Sequence, residues 1–351
     1  MTGHLVIRAP NWVGDVAMAT PILRAALEPP AQERWSRVEI LLRAHLAPVL
    51  NDGPLEPHLA PVKSSKAEVG LLRELAPDAI LLLSNSFGSA LRAFRAGVPI
   101  RAGTALSGRR WLLTHAVRPP TYGARRAPTP TPHLMRDAAG LVGVWPRSLV
   151  PRLDVDPRWL EEEAARLARL GLKGGEPYAV CCPGAAFGSA KSWRPEAFAE
   201  VLDQLHRSRG WRPVVTGGPG EEPLVEAVVA ACRAPALSLA AEPRDLARLK
   251  GLLARASFLL VSDSGPRYYA EAFGVPCVAL VGPNFNEVTA RISETVELVR
   301  LPGLECAPCL ERTCPLGHHR CMTELTPAHV LAGVERLMRR VSGRPAPDGV
   351  A

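Results

Sequence analysis

Residues 261–282, VSDSGPRYYAEAFGVPCVALVG, set a short apolar run, a polar turn, a helical segment and a second apolar run within 22 positions. The run 257–262 is short and branched enough to be a buried strand. Asp263, Ser264 and Gly265 are expected to cap a helix, and Pro266 suits its first position, where the missing N–H leaves nothing unpaired. Gly274, Val275 and Pro276 end that helix, and 277–281 reads as the next strand. The whole is one βαβ unit, so the chain around it must supply further strands alternating with helices. Free N–H groups at the helix start make an anion site, with phosphate the obvious guest. Arg267, on the first turn, adds a fixed positive charge. An ordinary capped helix is the alternative reading of the same residues.

A chain of 351 residues exceeds one comfortable core and matches two domains. We expect a first α/β lobe over 1–155, a second over 156–325, a C-terminal helix at 326–340 and a loose tail at 341–351. In the first lobe, 5–9 reads as a strand, 10–15 as a turn, and Val16, Ala19, Leu23 and Leu27 as one face of a helix that tolerates Pro21. Further strands are expected at 38–42 and 79–83, and a helix at 87–96 closed by Gly97, Val98 and Pro99 and running into a strand from Ile100. That closure echoes Gly274-Val275-Pro276 and hints at two lobes built alike. Residues 123–132, GARRAPTPTP, are expected to be a loop without regular structure because their prolines remove donors and fix φ. Helices are expected at 133–144 and 159–170. In the second lobe, strands at 178–182 and 213–216 are followed by a small-residue loop (183–193) and a glycine turn (217–220). Helices are expected from 195, from Glu221 and Glu222, whose charges suit a helix start, and over 327–340.

In a chain of this kind ligands bind at the carboxyl ends of the strands. There Lys191 and Ser189 offer a cation and a hydroxyl, and Gly184 and Gly188 allow close backbone approach. The pattern is not G-x-x-x-x-G-K-[ST], which disfavours a P-loop hydrolase. Glu221 or Glu222 is placed to accept from ribose hydroxyls, or simply to start a helix. Asp15 is an N-terminal helix carboxylate or, facing a bound nucleotide, a general base.

Five blocks, RAPNWVGDVAMATPILRA, LSNSFGSALRAFRAGVPIRAG, PGAAFGSAKSW, SDSGPRYYAEAFGVPCVALVGP and CAPCLERTCPLGHHRCM, occur in order over nearly the whole chain. Together they resemble the ADP-heptose lipopolysaccharide heptosyltransferases of glycosyltransferase family 9, closest to type II. The resemblance implies an α/β GT-B fold of two Rossmann-like lobes facing across a cleft, acceptor on the first and nucleotide sugar on the second. It implies inverting transfer of heptose from ADP-heptose to a lipid-linked, anionic inner-core acceptor, with no required cofactor. Asp15 matches the base, Lys191 the donor-phosphate lysine, and Asp263, Ser264 and Gly265 the donor turn. Ser189 and Arg267 would join them, and Glu222, with Glu221 not excluded, would contact the ribose. Tyr268 stands where many members carry His. On the acceptor side the expected residues are Asn11, Trp12, Gly14, Arg125, Arg126 and His133, with Arg109 and Arg110 as further basic candidates; solvated loop charges are the alternative reading of all five basic residues.

Cys306, Cys309, Cys314 and Cys321 follow a C-x2-C-x4-C-x6-C pattern with His318 and His319 between. A structural zinc, reduced thiols packing a loop, and a redox-labile disulfide are the three readings. The net charge of +8 comes from a basic set of 42 that includes only five lysines, and it favours anionic partners. With no block of like charge and only 5% aromatic residues, a nucleic-acid-binding module is the weaker alternative to an enzyme, and no nucleic-acid partner is expected. A transferase of the same fold using another nucleotide sugar and a different glycan is the nearer one. No apolar run of spanning length and no leader stands in the sequence, so a cytoplasmic protein is expected, with peripheral contact at the inner face of the inner membrane implied by a lipid acceptor.

Overall fold

The computed structural model describes residues 3–122, 125–184, 188–284 and 292–342. The chain divides into two compact units, Met1–Asp154 and Val155–Ala351. The first contains strands β1 (Gly3–Arg8), β2 (Trp35–Arg43), β3 (Leu59–Val62), β4 (Ala79–Leu82), β5 (Ile100–Thr104) and β6 (His115–Val117) in one sheet ordered β3-β2-β1-β4-β5-β6. A two-stranded ribbon, β7 (Thr121–Tyr122) with β8 (Arg125–Arg126), follows. The second unit contains β9 (Tyr178–Cys182), β10 (Arg212–Val215), β11 (Leu237–Ser238), β12 (Phe258–Ser262), β13 (Cys277–Leu280) and β14 (Val296–Val299), ordered β11-β10-β9-β12-β13-β14. Each sheet is parallel throughout. Counted from its own first strand, each has the 3-2-1-4-5-6 order of a dinucleotide-binding fold.

Parallel strands buried on both faces must be almost wholly apolar. Accordingly β4, β9, β12 and β13 are buried at every position. The helix Phe87–Ala96 is capped by Ser86, whose hydroxyl accepts from Ser89 N–H, and it stops at Gly97 in the left-handed region. In the second unit Gly274 has the same handedness after the helix Pro266–Ala272. Both Gly-Val-Pro segments feed the strand fifth in its sheet, and Val98 and Val275 are buried, so the echo marks equivalent positions of two like units.

Two local expectations are corrected. Arg125 and Arg126 form a short strand rather than loop, and the helix after them starts at Thr131, with Pro132 in its first turn where no N–H is required. Only 127–130 is the proline-held connection. The tail expected at 341–351 lies outside the described residues from position 343 onward.

Candidate functional site

In a 3-2-1-4-5-6 sheet the chain leaves the first and fourth strands in opposite directions, opening a crevice beyond their carboxyl ends. In the first unit this point lies after β1 and β4. Arg8, the last residue of β1, is fully buried, with Nε 3.0 Å from Glu68 Oε1 on the helix Ser65–Leu75. Its other nitrogens donate to the Ala9 carbonyl and, at 2.8 Å, to Asn11 Oδ1. Glu68, also fully buried, has its second oxygen 3.0 Å from Arg92 Nε. Asn11 is therefore held by Arg8, which is fixed by the buried Glu68 that the partly exposed Arg92 also meets. Burial pulls the Arg8 pKa down, against the upward pull of Glu68.

Asp15 lies on the first turn of the helix Val13–Ala25, half-buried, and burial pushes its carboxyl up to about 6. Gly14 is buried and Trp12 is 55% exposed. Arg109 proves to be neither solvated nor available to a partner. It is fully buried, donating to the carbonyls of Thr104 (2.9 Å), Ser84 and Ser86 (3.3 Å), and burial lowers its pKa to about 10. Those carbonyls close the carboxyl ends of β4 and β5, so the guanidinium is a structural donor there. Arg110 stays exposed and His133 is half-buried at the start of the helix Thr131–Gly140, while the side chains of Arg125 and Arg126 lie outside the described residues.

In the second unit the equivalent point lies after β9 and β12. Lys191, in the single turn Ser189–Lys191, donates from Nζ to both the carbonyl and Oδ2 of Asp263, each at 2.7 Å. Both side chains are more than nine-tenths buried. Asn284 Nδ2 donates to the same Oδ2 at 2.5 Å, and Arg267 lies 3.7 Å from Oδ1. Of the three residues expected to cap, Gly265 holds the N-cap position of the helix Pro266–Ala272, where no side-chain capping bond is made, and the Asp263 carboxylate is held instead by the Lys191 ammonium. Arg267 is fully buried beneath the Tyr268 ring, 4.9 Å from its centroid, so its charge acts on Asp263 from inside. Ser189 is exposed, and Ser264 and Gly265 are half-buried.

The two glutamates separate. Glu221 turns back into the glycine turn, accepting from Gly218 N–H at 2.7 Å, and its carboxyl fills the space over Gly184, where a Cβ would come within 2.0 Å of it. Glu222 points to Arg244, and N–H groups of the turn together with Arg244 hold its carboxyl below the usual range. The carboxylate at the ends of β9 and β10 is therefore Glu221, the one of the pair less favoured by the resemblance. Residues 185–187 of the intervening loop lie outside the described residues.

All eight cysteines are free. Cys306, Cys309, Cys314 and Cys321 line one cavity of about 20 Å³ together with His318, Ala190 and Pro283. Among the described residues no group of three or more His, Cys, Asp or Glu side chains is arranged to hold a metal ion as it stands. No helix among them is long and apolar enough to cross a membrane.

Two doubly wound units in one chain, each with polar groups gathered where strands one and four diverge, have the GT-B architecture. Residues 70–320 match glycosyltransferase family 9 (heptosyltransferase), and the chain belongs to that family. Lipopolysaccharide heptosyltransferase 2 of Escherichia coli strain K12 is 28% identical over 95% of this chain and 98% of its own length. Lipooligosaccharide heptosyltransferase 2 of Campylobacter jejuni is 30% identical over 47% of this chain, and the match spans about half (53%) of that relative. The solved structure of E. coli ADP-heptose lipopolysaccharide heptosyltransferase II superposes with a TM-score of 0.73 at 25% identity, covering 96% of this chain and 99% of that one.

Proposed function

We propose that this glycosyltransferase moves heptose from ADP-heptose to a lipid-linked inner-core lipopolysaccharide acceptor with inversion at the anomeric carbon. The carrying observation is the buried Lys191–Asp263 pair beyond β9 and β12, in a chain that aligns end to end with E. coli lipopolysaccharide heptosyltransferase 2. In this reading the second unit holds the donor. Lys191 exchanges a contact with Asp263 for the pyrophosphate, Ser189, Ser264 and Gly265 line its path, Arg267 sets the charge of Asp263, and Glu221 rather than Glu222 accepts from the ribose. The first unit holds the acceptor through Asn11, Trp12, Gly14, Arg125, Arg126 and His133.

The acceptor hydroxyl oxygen attacks the anomeric carbon as its proton passes to Asp15. The bond from that carbon to the phosphate oxygen breaks, and ADP leaves with the electron pair from the opposite face. A carboxyl raised toward neutrality is a stronger base than an ordinary aspartate yet remains ionised at pH 7–8. The charge developing on ADP is met by the Lys191 ammonium in a low-dielectric setting, where it counts most. An acceptor carried on lipid puts the enzyme at the cytoplasmic face of the inner membrane, held peripherally. Incubation with ADP-heptose and truncated core acceptors should give the heptosylated product with wild type and none with Lys191→Ala. Stronger thermal stabilisation by UDP- or GDP-sugars than by ADP-heptose would reject the donor assignment.

A further inference from the structure

The loop 305–322 uses four of the eight cysteines of the chain, and the reaction above uses none of them. It is strapped to both segments that build the Lys191–Asp263 cluster. Ala190 N–H donates to the Arg312 carbonyl at 3.0 Å, and Leu310 N–H donates to the Pro283 carbonyl at 2.9 Å. Gly188 passes so near that a Cβ there would meet the Arg312 oxygen at 2.4 Å, and a Cβ on Gly282 would meet the Met322 sulfur at 2.6 Å. Ala190 and Pro283 are the immediate neighbours of Lys191 and Asn284, whose side chains meet on Asp263. These same two residues share a cavity with all four thiols, and its volume of about 20 Å³ suits one small guest. Cys306 and Cys309 have the C-x2-C spacing of one half of a tetrathiolate zinc site, and Cys314 and Cys321 supply the other half. His319 N–H already donates to Cys314 Sγ at 3.4 Å, the kind of outer contact that steadies a metal-bound thiolate.

We propose that Cys306, Cys309, Cys314 and Cys321 bind one divalent zinc-class ion as a tetrathiolate, and that the ion fixes the loop against Ala190 and Pro283 so that Lys191 and Asn284 stay set for the donor. Binding gathers the four sulfurs about one ion, and deprotonation of the thiols releases protons to solvent. The second clause rests on the donor reading above; the first does not.

Tag-free protein, purified under reducing conditions without chelator, should carry about one zinc per chain by inductively coupled plasma mass spectrometry. Cobalt(II) in its place should show the thiolate charge-transfer band and the intense visible bands of a tetrahedral ion. Cys306→Ser/Cys321→Ser should lose both, with circular dichroism confirming a folded chain. Should that variant not fold, chelator-stripped wild type given back zinc serves the same comparison. Fewer than 0.1 zinc per chain, with no cobalt spectrum after reconstitution, overturns the site (about one-tenth of full occupancy). For the second clause, ADP titrated calorimetrically into stripped and reloaded wild type should bind about tenfold more weakly to the stripped form. Equal affinities overturn the coupling while leaving the metal site standing. ADP that fails to bind the zinc-loaded chain overturns the donor reading, and the coupling with it, not the ion.

Discussion

Replacing Asp15 by Asn separates what the carboxylate does for chemistry from what it does to the fold. Moving a carboxyl from an ordinary 3.8 to about 6 corresponds to about 3 kcal/mol between its protonation states, at about 1.36 kcal/mol per pH unit. The shift arises from burial, which penalises the charged form. The native state therefore binds the proton more tightly than the unfolded chain. The stability this lends is fully present below about pH 4, is lost as pH rises through about 6, and stays lost above that. A neutral amide at this position has no charge to desolvate. Asp15→Asn is accordingly expected to be more stable than wild type at pH 8 by up to about 3 kcal/mol, and about equal to it near pH 4. Because the side chain is only half-buried, solvent screening brings the measured gain toward the lower part of that range. Urea unfolding at both pH values measures the difference. Removal of the base should lower kcat by about 10²–10⁴-fold, and wild-type kcat/KM should fall as pH drops below about 6. A variant no more stable at pH 8 than at pH 4, relative to wild type, refutes the burial argument; one that turns over near the wild-type rate refutes the base.

Lys191→Met should leave the Asp263 carboxylate buried and without its ammonium, lowering stability by about 3–5 kcal/mol. Lys191→Met/Asp263→Asn should recover much of that in chemical denaturation and none of the transfer activity. Glu68→Gln should strand two guanidiniums, with a loss of about 3–5 kcal/mol in unfolding experiments. Because Arg8 also holds Asn11, its kinetic effect should appear in the acceptor KM, with the ADP dissociation constant unmoved. Gly184→Ala brings a Cβ within 2.0 Å of the Glu221 carboxyl and should weaken ADP binding about tenfold by displacing it; an unchanged affinity would free Glu221 of any ribose contact.

The inner strands could be read directly from the residues because a strand buried on both faces must be a continuous apolar run, as β4, β9, β12 and β13 are. The strands that escaped sequence reading are the two edges of each sheet, β3, β6, β11 and β14, together with the small ribbon. An edge strand is paired on one side only, so it can be two to four residues long, hold a proline as Leu59–Val62 does, or expose alternate positions. The candidate polar positions were picked out by the same measure. Loops after strands pointed to Asp15, Lys191 and Asp263, because composition and position in a βαβ unit are local properties.

What sequence could not supply is who neutralises whom. Arg8 and Glu68 lie 60 residues apart, and Lys191 and Asp263 lie 72 apart. Arg109 reads as a loop charge until the fold buries it, and Glu68 is buried as deeply. Each unit nevertheless reaches the same solution at the same place: a cation buried where strands one and four diverge, its charge balanced by a carboxylate from a distant segment. The desolvation of those cations is met during folding and not on ligand arrival. In the proposed reading, a donor reaching Lys191 displaces one oxygen ligand with another and does not have to dehydrate an ammonium in the open.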